Sequence, residues 1–281
     1  MVFNLKYSFL IFTFFTLFIW GCESTANLEG NISSSVVAIN DSTIEFIGPT
    51  NQANLEKLKE LLEKHPKDYK SLEINSGGGD VFAGMEIGKL VKEYHLEVIV
   101  KGQCASSCAN YIATASHYVF ITKNSVIGWH GSGFQNFYYQ PKSYSFFTRV
   151  LFFILGLDID IFGKGDDNGD GNGIESERLK EWQLTEYEYF HSVTDVDLVI
   201  TVLGMMPEFK RSAVLFSYDT LTLKRLGLNI EFEGPQKAGL KVTDKIYYLD
   251  VFYIDEKKLQ ELSNSFHEKV NKKIASYNYH K

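Results

Sequence analysis

The chain has 281 residues, of which 44% are hydrophobic and 15% aromatic, which is enough apolar material for one sizeable core. Its formal net charge of −7 argues against nucleic acid as a partner, because phosphate binding needs a basic face. The same charge argues against a general electrostatic attraction to anionic lipid.

The first residues indicate a targeting segment rather than part of a fold. Residues 7–20 are uncharged and apolar, and a run of this length is typical of a signal peptide, since a spanning helix needs about 17–25 residues. The ending Phe-Ile-Trp-Gly-Cys resembles a bacterial lipoprotein signal, in which the chain is cut before a cysteine that then carries lipid such as palmitate. We therefore expect a signal peptide over 1–21, lipidation at Cys22, a polar spacer over 22–35, and an exported protein anchored to a bacterial membrane through its N-terminal lipid. Ordinary secretion and an uncleaved anchor remain alternatives.

Strand and helix signals alternate from residue 36 to residue 130. Leucines recur at helical spacing between 54 and 65, and a helix with one apolar face is expected from 81 to 94. Short apolar runs that predict strands lie at 36–39, 43–47, 71–74, 97–101, 118–121 and 125–129, and a further helix is expected over 109–115. This alternation of strands and helices predicts a layered α/β fold with parallel strand pairings. Gly84 and Gly88, four residues apart, predict close packing of the helix on the sheet.

The pattern changes after residue 130. Residues 131–191 hold a crowd of aromatic side chains, an acidic, glycine-rich loop and a helix from 176 to about 190, which predict an insertion into the α/β domain. The aromatic part, 134–157, suits core packing, a peptide groove, an oligomer contact or a membrane contact. The domain then resumes over 192–281, with expected elements at 197–203, 218–228, 245–253 and 255–276.

The acidic loop satisfies the twelve-residue calcium pattern of an EF-hand, with Gly173 in place of the usual apolar residue. Its expected ligands are Asp166, Asn168, Asp170, Asn172 and Glu177. Ca²⁺ would order the insertion, whereas the alternative is a solvated acidic turn.

Two serines lie where a strand passes into a helix, at Ser106 and Ser107. A serine at such a turn is exposed to attack a carbonyl, although serines are also favoured helix N-caps. Such a nucleophile needs a base and N–H donors for the developing oxyanion. His130 follows a strand, and the run Gly77-Gly78-Gly79 follows another, so the parts of an acyl-transfer site are present.

Cys104 and Cys108 bracket the serines. Export would place them in an oxidising compartment, where a disulfide is as plausible as two small buried thiols. A metal pair is disfavoured, because no further Cys or paired His lies nearby.

Three segments, 74–85, 102–106 and 124–130, resemble the proteolytic subunit of Clp protease in order and spacing. The resemblance implies a Clp/crotonase-like layered β-β-α superhelix over 36–130 and 192–281, with the insertion between them. It also implies Ser106 as nucleophile, His130 as general base, and backbone N–H groups of Gly78 or Gly79 and of Ser107 as the oxyanion hole. Exported Clp-like proteins with a Cys-Ala-Ser-Ala-Cys turn resemble it most. The family forms rings or trimers, so a homo-oligomer is expected.

The orienting acid of that family has no counterpart in register. Its aligned position falls near Leu215, so Asp219 is the nearest candidate, with Asp195 and Asp197 as others. The sequence therefore predicts a serine hydrolase that cleaves peptide or protein substrates and needs no cofactor for catalysis. One alternative is a non-catalytic lipid-anchored binding or assembly protein. Another is a crotonase-type acyl-thioester enzyme, which the Ser–His combination and export away from coenzyme A disfavour.

Overall fold

The structure, a computed structural model, describes residues 34–65, 68–138, 177–236, 239–242 and 245–278. The described strands, β1 to β10 in chain order, are Ser35–Asn40, Thr43–Ile47, Ser71–Ser76, Glu97–Ala105, Val119–Ile121, Val126–Gly128, Leu215–Tyr218, Ile230–Phe232, Gly239–Val242 and Lys245–Phe252. The α-helices, α1 to α5, are Gln52–Lys64, Val81–Glu93, Glu177–Ser192, Thr220–Arg225 and Glu256–Asn278. A π-helix spans Cys108–Ala113, and 3-10 turns span Gln135–Phe137, Leu198–Thr201 and Leu203–Met205. The predicted signal segment, Cys22 and all but the last calcium ligand lie outside the described residues.

Seven of the described strands form the main sheet, in the order β1, β2, β3, β4, β5, β8, with β6 also paired to β4. All pairs in it are parallel except β1 with β2. The first half of β4 pairs with β5 and its second half with β6. The predicted α/β architecture with parallel pairings is thus confirmed. Because β4 and β6 run parallel, the loops that follow them meet at one edge of the sheet.

Short polar side chains begin the two helices of the first half. The Asn51 side chain accepts a hydrogen bond from Asn54 N at 2.9 Å and starts α1, whose buried face includes the predicted Leu58. The Asp80 side chain accepts one from Ala83 N at 2.8 Å and starts α2 directly after the glycine run. Each cap satisfies a backbone N–H that has no partner within its helix.

Gly84 and Gly88 let α2 approach the π-helix. A Cβ atom on Gly84 would lie 3.0 Å from the Tyr111 ring and 3.1 Å from Ser107 Cβ, and one on Gly88 would lie 2.7 Å from the Tyr111 carbonyl oxygen. The predicted close packing is therefore present, but the partner is this helix rather than the sheet.

A second, three-stranded sheet is visible among the described residues of the C-terminal third, in the order β7, β10, β9. β7 runs parallel to β10, and β9 antiparallel to it. The sequence predicted one element over 218–228 here. Instead β7 ends at Tyr218, and α4 starts after Asp219. The element expected over 197–203 is likewise different, because the structure has two 3-10 turns there.

The last helix, α5, covers the segment that follows His130. The Phe266 ring is fully buried and makes edge contacts with Phe134 and Phe137 and a stacked contact with Tyr138. This aromatic segment therefore contributes to the core as far as residue 138. No helix in the described part of the chain is both long and apolar enough to cross a bilayer.

Candidate active site

Ser106 lies at the junction between β4 and the π-helix, in a conformation that side chains rarely adopt. Its φ is +57°, a left-handed value that costs a non-glycine residue about 1–2 kcal/mol. Two backbone hydrogen bonds hold it there, from Ser106 N to Gly128 O at 3.1 Å and from Asn110 N to Ser106 O at 2.8 Å. Non-glycine residues held in this way cluster at functional sites.

His130 is brought to this serine by the strand that pairs with β4. Gly128 of β6 lies opposite Ala105, so the residues after both strands end side by side. Trp129 exchanges two backbone hydrogen bonds with Phe216, each 2.8 Å long. Beyond it, His130 Nε2 lies 2.8 Å from Ser106 Oγ. The two side chains that the sequence singled out are thus in direct contact.

The surroundings of the His130 ring favour its neutral form. Burial lowers the pKa of His130 below the ordinary 6.5, and the nearby Arg211 cation lowers it further, while a hydrogen bond to the residue's own backbone raises it. A neutral imidazole can accept a proton through Nε2, which is what a general base for a serine hydroxyl must do.

The glycine run lies directly against the serine turn. Gly78 has a φ of +92°, and a Cβ atom there would lie 2.7 Å from Ser106 Cβ and 2.9 Å from Ser107 N, so only glycine fits. The Gly78 N–H already donates to Ser76 Oγ at 3.1 Å. Within the described residues the N–H groups of Gly79 and Ser107 donate to no protein acceptor. These two are therefore the candidate oxyanion donors, and Gly78 is not.

The Ser107 side chain ties the two loops together and does not cap the helix that follows. Its Oγ lies 2.8 Å from Thr50 Oγ1 and donates to Gly79 O at 3.2 Å. Thr50 also binds the glycine run through its backbone, from Thr50 N to Gly78 O and from Asp80 N to Thr50 O. No local pattern marks Thr50, because its contacts are with residues about 30 and 57 positions away.

Cys104 and Cys108 form a disulfide across the serine turn, with their Cα atoms 5.2 Å apart. Both residues are fully buried. The bond links the end of β4 to the first residue of the π-helix and thereby restricts the turn that carries Ser106.

The candidate orienting acids all have other roles. The Asp219 carboxylate accepts a hydrogen bond from Thr222 N at 3.0 Å and caps α4, so we withdraw its assignment to the site. Asp195 pairs with Lys92 at 3.4 Å. Asp197 binds a histidine, but it is His267 of α5, at 2.7 Å. No carboxylate among the described residues makes a hydrogen bond or ion pair with the His130 ring.

A buried carboxylate that sequence reasoning missed contacts the loop after His130. Glu186 of α3 is fully buried, accepts a hydrogen bond from Tyr111 OH at 2.7 Å and another from Gly133 N at 2.9 Å. It therefore connects the π-helix to the loop after His130. Burial raises the pKa of Glu186 to about 7, although hydrogen bonds from Tyr111, Gly133 and Ser132 lower it. The signal for it was weak: a glutamate on the same face of α3 as the buried Tyr189 and Phe190.

We expect Glu186 to make the protein less stable as the pH rises. A carboxyl group whose pKa is raised on folding contributes fully below its unfolded pKa of 4.5, and the contribution is lost as the pH rises through about 7. The loss should be about 3 kcal/mol in the free energy of unfolding. Denaturant unfolding at pH 5 and pH 8 should show this loss in the wild type and a smaller one in Glu186→Gln. Glu188→Gln, on the exposed face of the same helix, is the control; equal pH dependence in all three proteins would contradict the prediction.

The predicted calcium ligands lie mostly outside the described residues. Glu177, its last expected ligand, is exposed and is the first residue of α3, while Asp166, Asn168, Asp170 and Asn172 lie outside the described residues. Elsewhere in the described part of the chain, no group of three or more His, Cys, Asp or Glu side chains is arranged to hold a metal ion.

No protein-family model matches the chain, and no curated protein matches it. Among solved structures, a mutant of ClpP1 from Listeria monocytogenes is similar over 33% of this chain and 58% of that one, with 25% sequence identity and a TM-score of 0.31. The chain thus spans less than two thirds of that protein. A likeness with a TM-score this low carries no argument about fold or site, and the interpretation of the site depends on the geometry above.

Proposed function

We propose that this protein is a serine hydrolase, of the peptidase type, that acts through an acyl-enzyme on Ser106. The observation that carries the proposal is the 2.8 Å contact between Ser106 Oγ and His130 Nε2 at a left-handed turn. The uncommitted N–H groups of Gly79 and Ser107 beside it support the proposal. The Clp-like sequence segments support the peptidase class and the Clp/crotonase-like superhelix.

In the proposed reaction, His130 Nε2 takes the proton of Ser106 as Oγ attacks the substrate carbonyl carbon. The carbonyl oxygen becomes negative and accepts hydrogen bonds from Gly79 N and Ser107 N. The bond to the leaving amine or alcohol then breaks, and the leaving group receives the proton from His130. Water, deprotonated by the same imidazole, attacks the ester, releases the acid and restores the serine.

Burst kinetics test this mechanism. With a p-nitrophenyl ester, the folded protein should release one equivalent of p-nitrophenol per chain rapidly and more slowly afterwards, because the acyl-enzyme accumulates. A pool of unstructured peptides, followed by mass spectrometry, tests the peptidase class. Turnover of esters without peptide cleavage would leave a hydrolase of another class, and no burst at all would contradict the mechanism.

No carboxylate in the described part of the chain contacts His130, and this favours a second candidate, a binding or assembly protein that keeps the fold without catalysis. An imidazole that no acid orients loses much of its catalytic value. On this alternative, a peptide that binds in the glycine-lined cleft would be retained uncleaved. The burst experiment distinguishes the two candidates.

We further propose that the protein is exported and lipid-anchored at Cys22, and that it forms a homo-oligomer, as Clp-like proteins do. The disulfide between Cys104 and Cys108 supports export, because disulfides persist in oxidising compartments and are rare in the cytosol.

We also propose that the loop ending at Glu177 binds Ca²⁺. Calcium should then raise the melting temperature of the wild type, since a ligand that binds only the folded state stabilises it. Asp170→Ala should remove the effect, because it deletes a ligand from the loop. Thermal unfolding with calcium and with EDTA measures both; Mg²⁺ at equal concentration controls for ionic strength. No response of the wild type to calcium would overturn the assignment.

A further inference from the structure

No carboxylate among the described residues contacts the His130 ring, and hydrogen bonds hold the backbone on either side of it. On the upstream side, Trp129 is fixed by its two hydrogen bonds with Phe216. On the downstream side, the carbonyl of Gly131 accepts a hydrogen bond from Asn110 Nδ2 at 3.0 Å.

Asn110 belongs to the π-helix that begins two residues after the proposed nucleophile. It lies four residues after Ser106, and its own N–H donates to Ser106 O at 2.8 Å. A single residue therefore contacts the backbone of Ser106 through its N–H and the backbone next to His130 through its side chain. Any change in its position would alter the distance between Oγ and Nε2.

A buried asparagine side chain in a helix interior lowers the stability of the fold when one of its polar atoms is unpaired. Asn110 is only 2% exposed, and its Oδ1 atom has no hydrogen-bond partner among the described residues. A buried acceptor without a partner lowers stability, and an apolar side chain of similar shape would avoid that loss. The asparagine does, however, satisfy the buried Gly131 carbonyl through its amide nitrogen, and its side chain also interacts with Tyr111.

We propose that Asn110 is a positioning residue, which holds His130 against Ser106 through the Gly131 carbonyl and so takes over the task of an orienting acid. This inference rests on the proposed function, because it names the residue that holds the general base of that reaction in position. It also explains how a histidine without a carboxylate can keep a productive geometry.

The test compares Asn110→Leu with Ser116→Ala. The leucine keeps the branched shape of the side chain and removes the hydrogen bond to Gly131. Ser116 is buried near the far end of the same segment, where its hydroxyl binds Val98 N, Leu96 O and Tyr118 O, away from the site. The readouts are the melting temperature and the rate of inactivation by a fluorophosphonate across pH. Asn110→Ser repeats the test if the leucine variant does not fold.

We expect Asn110→Leu to be inactivated on the order of 100-fold more slowly, with a lower melting temperature, because the buried Gly131 carbonyl loses its donor. The midpoint of the acid limb in its pH–rate profile should also shift up towards 6.5, because an imidazole that is held less firmly is more exposed to solvent. Ser116→Ala should show a lower melting temperature and the wild-type rate. An Asn110 variant that reacts at the wild-type rate with an unmoved acid limb would overturn the inference and leave the proposed function standing. A folded wild type that does not react at all would overturn both.

Discussion

Replacing Ser106 by alanine should abolish covalent labelling by a fluorophosphonate and the ester burst, while the protein stays folded. The reagent phosphonylates only a hydroxyl that a neighbouring base activates, and alanine has none. Fold should be retained, because the backbone hydrogen bonds of residue 106 to Gly128 and Asn110 do not involve its side chain. Intact mass spectrometry and circular dichroism of the purified variant measure the two outcomes.

The neighbouring serine provides the matched comparison. Ser107→Ala should still be labelled, at a reduced rate, because the hydroxyl it loses bonds Thr50 and Gly79 rather than facing the base. The looser glycine run should lower the rate and the melting temperature together. If Ser106→Ala is labelled like the wild type, or if only Ser107→Ala loses its label, the nucleophile is assigned to the wrong serine.

The second large effect concerns pH. His130 can accept the proton of Ser106 only while its ring is neutral, so the inactivation rate should rise as the pH rises through the pKa of His130 and then level off. Burial lowers that pKa, so the midpoint should lie below 6.5 and the plateau should be reached near neutrality. The measurement is the second-order rate constant of labelling between pH 4.5 and 8.5.

His130→Ala should lower the plateau rate by about 10²–10⁴-fold, which is what a positioned general base typically contributes, and should remove the acid limb. His117→Ala serves as the control, because this histidine is exposed and lies near Glu97 at the opposite end of β4. A midpoint clearly above 7, or an acid limb that persists without His130, would contradict the assignment of the base.

The parts of the site that could be predicted are those whose signals are local in sequence. Gly78 marks a turn that only glycine can make, and the Asp80 cap marks the start of the helix after it. The short apolar strands predicted parallel pairing, and parallel pairing places Ser106 and His130 at the same edge of the sheet. The contact between Ser106 and His130 could thus be expected from two strand patterns and from the rule that parallel strands end at the same edge of a sheet.

The parts that could not be predicted are contacts between residues far apart in the chain. Asp219 stands close to the expected place of an orienting acid, yet the helix it precedes takes its carboxylate. Asp197 does bind a histidine, but one that lies 70 residues later, in α5. Glu186 belongs to a helix whose sequence predicted only an insertion, and its partners lie 53 and 75 positions away. Local sequence patterns do not predict contacts between residues this far apart in the chain.

The contacts around the site support both members of the Ser106–His130 pair, although no carboxylate among the described residues contacts the His130 ring. Ser106 is fixed by strained backbone and a disulfide, and the loop after His130 is held by Asn110 and Glu186. Rigid support of this kind limits the motion of a base. On the proposed function, we expect the pair to act as a dyad, with a lower rate than a triad would give.

The most direct test of the proposed mechanism is to react the folded wild-type protein with a fluorophosphonate and to locate the adduct by peptide mass spectrometry. We predict a single adduct on Ser106, absent when the protein is unfolded beforehand. An adduct on any other residue, or none on the folded protein at pH 8, would contradict it.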